Sequence, residues 1–209
     1  GLKEAGLEAV DGILIDIGLS SLQLEAEGRG FSFNRNEPLD MRMDRRRPVT
    51  AAQIVADSTE EELADIFYYY GDEKQSRRIA EIIVKERKKS KIEMTGQLAQ
   101  IVGKAVPKKY HPAKIHVATK VFQALRIAVN EELANLGGIL EKAPLYLRPK
   151  SRICIISFHS LEDRIVKRIL SRTEKLKVVT KKPITPDDKE IKRNPRARSS
   201  RLRVAERLA

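Results

Sequence analysis

Two apolar runs of the chain have the pattern of buried β-strands, and each ends in polar residues. Residues 12–17 are rich in isoleucine and carry one carboxylate, Asp16, while residues 152–157 hold Cys154 among isoleucines. Short apolar runs of this kind are typical of strands in a parallel sheet whose faces are covered. Because parallel strands present their carboxyl ends at one edge of a sheet, we expect the polar residues after both runs to lie on the same side.

Apolar residues recur at helical spacing after the first strand. The spacing predicts four short helices between Thr50 and Pro107, with Thr50 and Thr95 as N-caps and with a hydroxyl cap before the acidic residues 60–62. No strand pattern separates these helices. They therefore indicate a helical insertion rather than a continuation of the sheet.

The second half of the chain is predicted to return to the sheet. In chain order the expected elements are a long helix (120–136), a break at Gly137 and Gly138, a helix (139–147), the second strand, a basic helix (161–171), a strand (177–180), a polar loop (183–195) and a last strand (202–205). This alternation of strands and helices predicts an α/β fold with a late hairpin at the edge of the sheet.

The pattern of the first residues predicts that the sequence begins part of the way through an alternation of helices and strands. Residues 2–9 have the pattern of the end of a helix that leads into the first strand. A nucleotide-type cofactor usually needs an earlier glycine-rich turn between a strand and a helix, and an acidic residue at the next strand. We find neither in these residues. We therefore expect about half of the cofactor site to lie in an amino-terminal portion outside them.

Composition narrows the class of protein. Of 209 residues, 41% are hydrophobic and 33% are charged, which indicates a globular chain rather than a disordered one. No apolar run approaches the roughly 20 residues of a membrane span, and no signal-peptide pattern opens the chain. The single cysteine, Cys154, is predicted to be a small buried side chain in a cytoplasmic protein, and three scattered histidines give no metal-ligand spacing.

Positive charge is concentrated in a few segments. The formal net charge is +12, with basic clusters at residues 45–47, 85–91, 108–114 and 175–207. A solvated surface alone can be basic, but clustering of this kind favours a nucleic-acid partner.

The stretch at residues 11–44 carries the most specific pattern, with DGILIDIGLSSLQL, RGFSF and PLDMRMD in that order. It resembles the signature of the RsmH (MraW) family of S-adenosylmethionine-dependent methyltransferases. Four later stretches resemble the same family: YGDE with SRRIA (70–80), FQALRIAVN (122–130), ISFHSLEDR (156–164) and NPRARSSRLRVAER (194–207). The resemblance thus extends over nearly the whole chain.

The resemblance implies a Rossmann-like class I methyltransferase sheet with an all-helical insertion domain. Residues 1–29 and 117–209 would belong to the methyltransferase domain, and residues 30–116 would form the insertion. The implied cofactor is S-adenosyl-L-methionine. The implied substrate is the N4 amine of a cytosine in 16S ribosomal RNA, either free or in an assembling small subunit, with no metal and no membrane involved.

Methyl transfer to such an amine needs hydrogen-bond acceptors, because the lone pair of the amine is delocalised into the ring. Asp16, Ser20 and Ser21 offer suitable oxygen atoms after the first strand. The resemblance further implies that Asp16 and Gln23 contact the cofactor. After the second strand, His159 is predicted to accept a proton or to orient a phosphate. A hydrolase triad of His159 with nearby Ser and Asp is disfavoured, since the serine elbow motif is absent.

Contacts to RNA are predicted for basic and polar residues. The candidates are Arg42, Lys88, Lys89, Lys91, Arg126 and Ser157. With Asp40 and Asp44, Arg42 either clamps a phosphate or forms a structural ion-pair network, and both alternatives stay open. The tyrosines at positions 68–70 and 110 either stack on bases or pack inside the protein.

Two alternatives to the ribosomal RNA methyltransferase remain. A non-catalytic RNA-binding module would keep the basic clusters and bind no cofactor. A methyltransferase for a small-molecule amine would not need the basic clusters, and its activity would be insensitive to salt, whereas RNA affinity falls steeply with salt.

Overall fold

The structure, a computed structural model, describes residues 4–20, 22–23 and 26–209. Two compact units divide the chain: Gly1–Gly18 with Leu133–Ala209, called here the sheet unit, and Leu19–Glu132, called the helical unit. In chain order the strands and α-helices are β1 (Val10–Asp16), α1 (Ala51–Asp57), α2 (Glu60–Gly71), α3 (Ser76–Arg87), α4 (Thr95–Ala105), α5 (Thr119–Asn130), α6 (Glu132–Lys142), β2 (Leu147–Ser157), α7 (Ser160–Arg172), β3 (Leu176–Val178), α8 (Asp188–Arg193) and β4 (Arg201–Arg207).

The sheet unit contains one four-stranded sheet in the order β1-β2-β4-β3. Strands β1 and β2 are parallel, with Asp16 opposite Ile156, and the other two pairs are antiparallel. The expected α/β fold, the shared carboxyl edge of the first two strands and the late hairpin are therefore confirmed. Buried side chains of β2, α6 and α7 form the core of this unit, with Ile153, Ile155, Leu140, Val166 and Leu170 among them.

The prediction that the first strand is buried on both faces is wrong for the described residues. Ile13 and Ile15 pack against the core of the sheet unit, but Leu14 is 69% exposed and Asp16 is exposed. Alternate residues of a strand point to opposite faces of the sheet, and no described element covers the face that carries Leu14. The same alternation leaves Cys154, between the buried Ile153 and Ile155, only partly buried.

Helix α5 ends earlier than predicted. Glu131 has a φ of 50°, in the left-handed region, and this backbone conformation ends α5 and separates it from α6. The predicted break at Gly137 and Gly138 is wrong, since both glycines lie inside α6. The sequence also missed the short helix α8 in the loop expected at residues 183–195. Its N-cap is Asp187, whose carboxylate accepts a hydrogen bond from the backbone of Glu190 at 2.7 Å.

The helical unit consists of α1 to α5 around an apolar core. Phe67, Ile79, Ile83, Leu98 and Leu125 are fully buried in it. The predicted caps at Thr50 and Thr59 form complete capping boxes with Gln53 and Glu62. Thr95 is not a cap. It is the first residue of α4, and its buried hydroxyl accepts a hydrogen bond from Glu37 and donates one to Arg35.

The division into units differs from the boundaries expected at residues 30 and 117. Helix α5 packs against α2, and its Phe122 meets Phe33 edge to face at 5.0 Å, so α5 lies in the helical unit. Among the described residues no helix has both the length and the apolar character needed to cross a bilayer.

Candidate active site at the carboxyl edge of the sheet

Asp16 is the last residue of β1 and stands at the carboxyl edge of the sheet. The backbone N–H of Ile17 donates to the carbonyl of Ile156 at 3.0 Å, so the parallel pairing continues one residue beyond the strand. Gly18 then turns the chain with a φ of 112°, and a Cβ there would lie 3.8 Å from the ring of Phe158. The Asp16 carboxylate is exposed and has no hydrogen-bond or ion-pair partner among the described residues. It is therefore a free acceptor at the end of a parallel strand.

His159 follows β2 and caps helix α7. Its Nδ1 accepts a hydrogen bond from the backbone N–H of Glu162 at 3.4 Å, and its Nε2 lies 3.0 Å from Oε1 of Glu162. Nε2 is buried at this distance from the carboxylate but makes no hydrogen bond of good geometry with any described residue. The His159 ring is therefore held against Glu162 at the start of α7.

Glu162 is the buried partner that the sequence interpretation missed. Its side chain is 1% exposed, and its Oε2 accepts hydrogen bonds from the backbone N–H groups of Phe158 and His159 at 2.8 and 3.3 Å. Burial acts to raise the pKa of Glu162, but the contact with the His159 side chain and these two N–H groups hold the pKa below its ordinary value. A glutamate three residues after a cap is the sequence signal of a capping box, and it marks this residue.

Asp163 joins α7 to β4 through a buried ion pair. Its carboxylate accepts two hydrogen bonds from Arg203, at 2.6 and 3.0 Å, and Nη1 of Arg201 approaches at 3.5 Å. The Arg203 hydrogen bonds lower the pKa of Asp163 against the opposing effect of burial. Nearby, the buried Ser157 donates its hydroxyl hydrogen to the carbonyl of Arg201 at 3.4 Å, so this side chain is engaged within the sheet.

Ser20 and Gln23, which belong to the helical unit, exchange two hydrogen bonds. The Ser20 backbone N–H donates to Oε1 of Gln23 at 3.1 Å, and the Gln23 backbone N–H donates to Oγ of Ser20 at 3.2 Å. The Gln23 amide nitrogen has no partner among the described residues and remains available as a donor. Ser21, the third predicted acceptor, lies outside the described residues.

Arg42 takes part in a structural ion-pair network. It forms two hydrogen bonds with the Asp40 carboxylate, at 2.7 and 2.8 Å, and its Nη1 donates to the carbonyls of Arg45 and Arg47. The Arg42 hydrogen bond lowers the pKa of Asp40. Asp44 is not part of this pair, because it binds Arg46, whose hydrogen bond lowers the pKa of Asp44 to about 2. Of the two alternatives for Arg42, its contacts support the structural one.

Asn130 is a second residue that the sequence interpretation missed. It is 5% exposed at the end of α5, where its amide nitrogen donates to the carbonyls of Met41 and Arg126 at 2.8 Å each. Its amide oxygen accepts a hydrogen bond from the backbone N–H of Met43 at 2.7 Å. Met41 itself has a φ of 62°, uncommon for a residue with a side chain. The side chain of Asn130 therefore fixes the conformation of residues 41–43.

Of the residues of the helical unit that are predicted to contact RNA, some are already paired with a carboxylate of the protein and others are not. Arg126 is occupied by two hydrogen bonds to Glu132, at 2.8 and 3.0 Å. Lys89 is paired with Glu86 at 2.6 Å, whereas Lys88 and Lys91 are exposed and have no partner among the described residues.

The four tyrosines of the helical unit also divide. Tyr68, Tyr69 and Tyr110 are 55%, 62% and 52% exposed, while Tyr70 packs against the core of the helical unit. The ammonium of Lys109 lies 4.9 Å from the centre of the Tyr110 ring. Packing therefore explains Tyr70 but not the other three.

Comparison with known proteins identifies the family. Residues 1–208 match the MraW methylase family. A ribosomal RNA small subunit methyltransferase H from Desulfotalea psychrophila is 59% identical over 208 residues, which are 100% of this chain and 70% of the relative. Proteins of the same name from a Cyanothece species and from Trichodesmium erythraeum are 54% and 53% identical, over 98% and 95% of this chain and 68% and 69% of theirs. The chain therefore belongs to the MraW methylase family.

Proposed function

We propose that the protein uses S-adenosyl-L-methionine to methylate the N4 amine of a cytosine in small-subunit ribosomal RNA. The observation that carries the proposal is the free Asp16 carboxylate at the carboxyl end of a parallel strand, in a chain of a methylase family. The shared name of the relatives supports the class of substrate.

The residues present fit part of an S-adenosylmethionine site. The cofactor has a cationic sulfonium, an ammonium and ribose hydroxyls. A carboxylate that binds no other hydrogen-bond donor can pair with these groups. Asp16 is such a carboxylate, and the amide nitrogen of Gln23 is a free donor for a carboxylate or a hydroxyl oxygen. When bound, S-adenosylmethionine supplies an electrophilic methyl group.

The contribution of the protein to the reaction is orientation and acceptance of hydrogen bonds. An amine becomes a better nucleophile when acceptors hold its hydrogens and fix the direction of its lone pair. Asp16 and Ser20 stay the candidates for this role, and Ser21 stays a prediction. His159 acts in this proposal as a positioning residue, because its contacts are with Glu162 at the start of α7.

Asp16→Asn tests this assignment. The substitution keeps the size of the side chain and removes its negative charge, so we expect affinity for S-adenosylmethionine to fall about tenfold, equivalent to about 1.4 kcal/mol. Calorimetry measures the affinity, and Asp11→Asn, at an exposed carboxylate of the same strand, is the matched control. Equal affinities of Asp16→Asn and the unchanged protein would remove Asp16 from the cofactor site.

We propose that the sheet unit is the methyltransferase domain and that the helical unit, inserted between Gly18 and Leu133, presents a basic face to RNA. Lys88 and Lys91 are exposed cations of this unit without a partner among the described residues. Replacing both by glutamate should weaken RNA binding by about tenfold or more at 0.1 M salt, because each phosphate contact depends on counterion release. Filter binding measures this, with Lys142→Glu, at an exposed position of the sheet unit outside the basic clusters, as a control. RNA affinity and salt dependence that both stay unchanged would place the RNA elsewhere.

The decisive experiment supplies labelled S-adenosylmethionine and small ribosomal subunits that lack their native modification. We expect label in N4-methylcytidine. Cofactor binding without label in RNA would contradict the proposed substrate. RNA binding without cofactor binding would favour the alternative of a non-catalytic RNA-binding module. The cytoplasmic location stays a prediction.

A further inference from the structure

A pocket of about 220 Å³ lies in the sheet unit between helix α7 and the segment that follows β3. Lys167 and Ser171 line it from α7, Thr180 and Lys181 line it from the segment after β3, and Arg203 lines it from β4. No residue that lines the pocket carries a carboxylate. The pocket is separate from the carboxyl edge of β1 and β2, since none of the residues at that edge lines it.

Two of the three cationic residues that line this pocket have no counter-charge among the described residues. Lys167 and Lys181 have no hydrogen-bond or ion-pair partner within the part of the chain that the structure describes. Arg203 is 5% exposed and binds Asp163 through Nε and Nη2, and among the described residues its Nη1 has no partner. Three cationic residues thus contribute to the lining of one small cavity, and Asp163 compensates the charge of only one of them, Arg203.

The hydroxyl groups of the pocket do not change its preference for an acceptor-rich ligand. Ser171 donates its hydroxyl hydrogen to the carbonyl of Lys167 at 2.6 Å. The Thr180 hydroxyl donates to the carbonyl of Val204 at 3.5 Å and accepts a hydrogen bond from the backbone N–H of Val204 at 2.9 Å. The donors left for a ligand are therefore the ammonium groups and the guanidinium. A phosphate group offers several acceptor oxygens and negative charge, which match this set in chemistry.

We propose that this pocket binds a phosphate of the RNA backbone, an inference that rests on the proposed function. The surroundings favour a polyanion over a small phosphate compound. Positions 164–182 contain eight basic residues and one acidic residue, so the field extends along α7 and beyond β3. A long basic surface attracts a chain of phosphates, and the pocket fixes one of them in place.

The double variant Lys167→Gln with Lys181→Gln tests the proposal, with Lys142→Gln, exposed on the same unit but outside the basic clusters, as a control. Binding of a 12-nucleotide single-stranded RNA is measured over a range of salt concentrations. Loss of one phosphate contact should make the slope of log affinity against log salt shallower by about 0.7, and the affinity should fall several-fold near 0.1 M salt. The control variant should keep the slope and the affinity.

A second measurement distinguishes a phosphate of the RNA backbone from a free phosphate compound. Inorganic phosphate is titrated against the protein, and the amide signals of Ser171 and Thr180 are followed by NMR. Saturable shifts together with an RNA slope changed only in the double variant support the proposal. Saturable shifts with an unchanged RNA slope would assign the pocket to a free phosphate compound and overturn it. An unchanged slope without shifts would overturn the site itself.

The outcome is distinguishable from failure of the proposed function. Methyl transfer by the unchanged protein, with no loss of RNA affinity in the double variant, would overturn only the pocket. Loss of RNA affinity in the double variant, in a protein that transfers no methyl group, would overturn only the proposed reaction.

Discussion

Asp163→Ala is expected to destabilise the sheet unit by about 3–5 kcal/mol, because it leaves the Arg203 guanidinium buried without its counter-charge. This is a large share of the free energy of unfolding of a typical domain, which is ~5–15 kcal/mol. The pair joins α7 to β4. The backbone amides that link β2 and β4 should therefore lose the most protection from hydrogen exchange. Urea unfolding followed by circular dichroism gives the total loss.

The matched control for this prediction is Asp11→Ala. Asp11 pairs with Arg148, but the two side chains are 78% and 55% exposed, so removing the pair should cost no more than about 1 kcal/mol. A double variant, Asp163→Leu with Arg203→Met, removes both charges and should recover most of the lost stability. Equal losses for Asp163→Ala and Asp11→Ala would show that burial of the pair contributes nothing.

The same pair predicts how stability depends on pH. Arg203 lowers the pKa of Asp163 in the folded state, so the stabilisation is present above the ordinary pKa of an aspartate, about 4, and is lost as the pH falls through the lowered value. Glu162, whose pKa is also lowered, acts in the same direction. In Asp163→Asn the acid limb of the stability curve should therefore be shallower, which thermal unfolding between pH 2 and 7 measures. An acid limb as steep as that of the unchanged protein would exclude Asp163 as its source.

Features with a local pattern were predictable from the sequence. The isoleucine run before Asp16 and its counterpart before Ser157 marked two parallel strands with a common carboxyl edge, as the structure shows. Thr50 and Thr59 marked helix starts because the partner of each cap lies three residues away. Family resemblance then added the activity, which no periodicity of apolar residues reveals.

Features that depend on distant partners were not predictable. Asp163 and Arg203 are 40 residues apart, and Asn130 and Met41 are 89 residues apart, so no local spacing relates them. Arg42 and Arg126, two predicted candidates for RNA contact, show a different limit, because a carboxylate two or six positions away in the sequence does not reveal whether the two side chains pair. Each side chain is in fact directed at a carboxylate of the protein. A basic residue in a signature motif can serve the fold as well as a ligand.

Asn130→Ala is expected to destabilise the helical unit by roughly 2–6 kcal/mol. The backbone N–H of Met43 and the carbonyl of Met41 lose their buried partner, at about 1–3 kcal/mol for each unpaired group. The left-handed backbone of Met41 loses support at the same time. Tyrosine fluorescence during urea unfolding measures the loss, since four of the five tyrosines lie between positions 68 and 110 in this unit.

Two further substitutions make the Asn130 prediction specific. Asn34→Ala, at an exposed position of the same unit, should change stability by no more than about 0.5 kcal/mol. Asn130→Asp keeps the acceptor for Met43 but directs a carboxylate at the carbonyls of Met41 and Arg126, so it should be at least as destabilising as alanine. Full stability of Asn130→Asp would show that the two donated hydrogen bonds do not hold residues 41–43. If both Asn130 variants lose stability while Asn34→Ala keeps it, the amide side chain of Asn130 holds the conformation of residues 41–43.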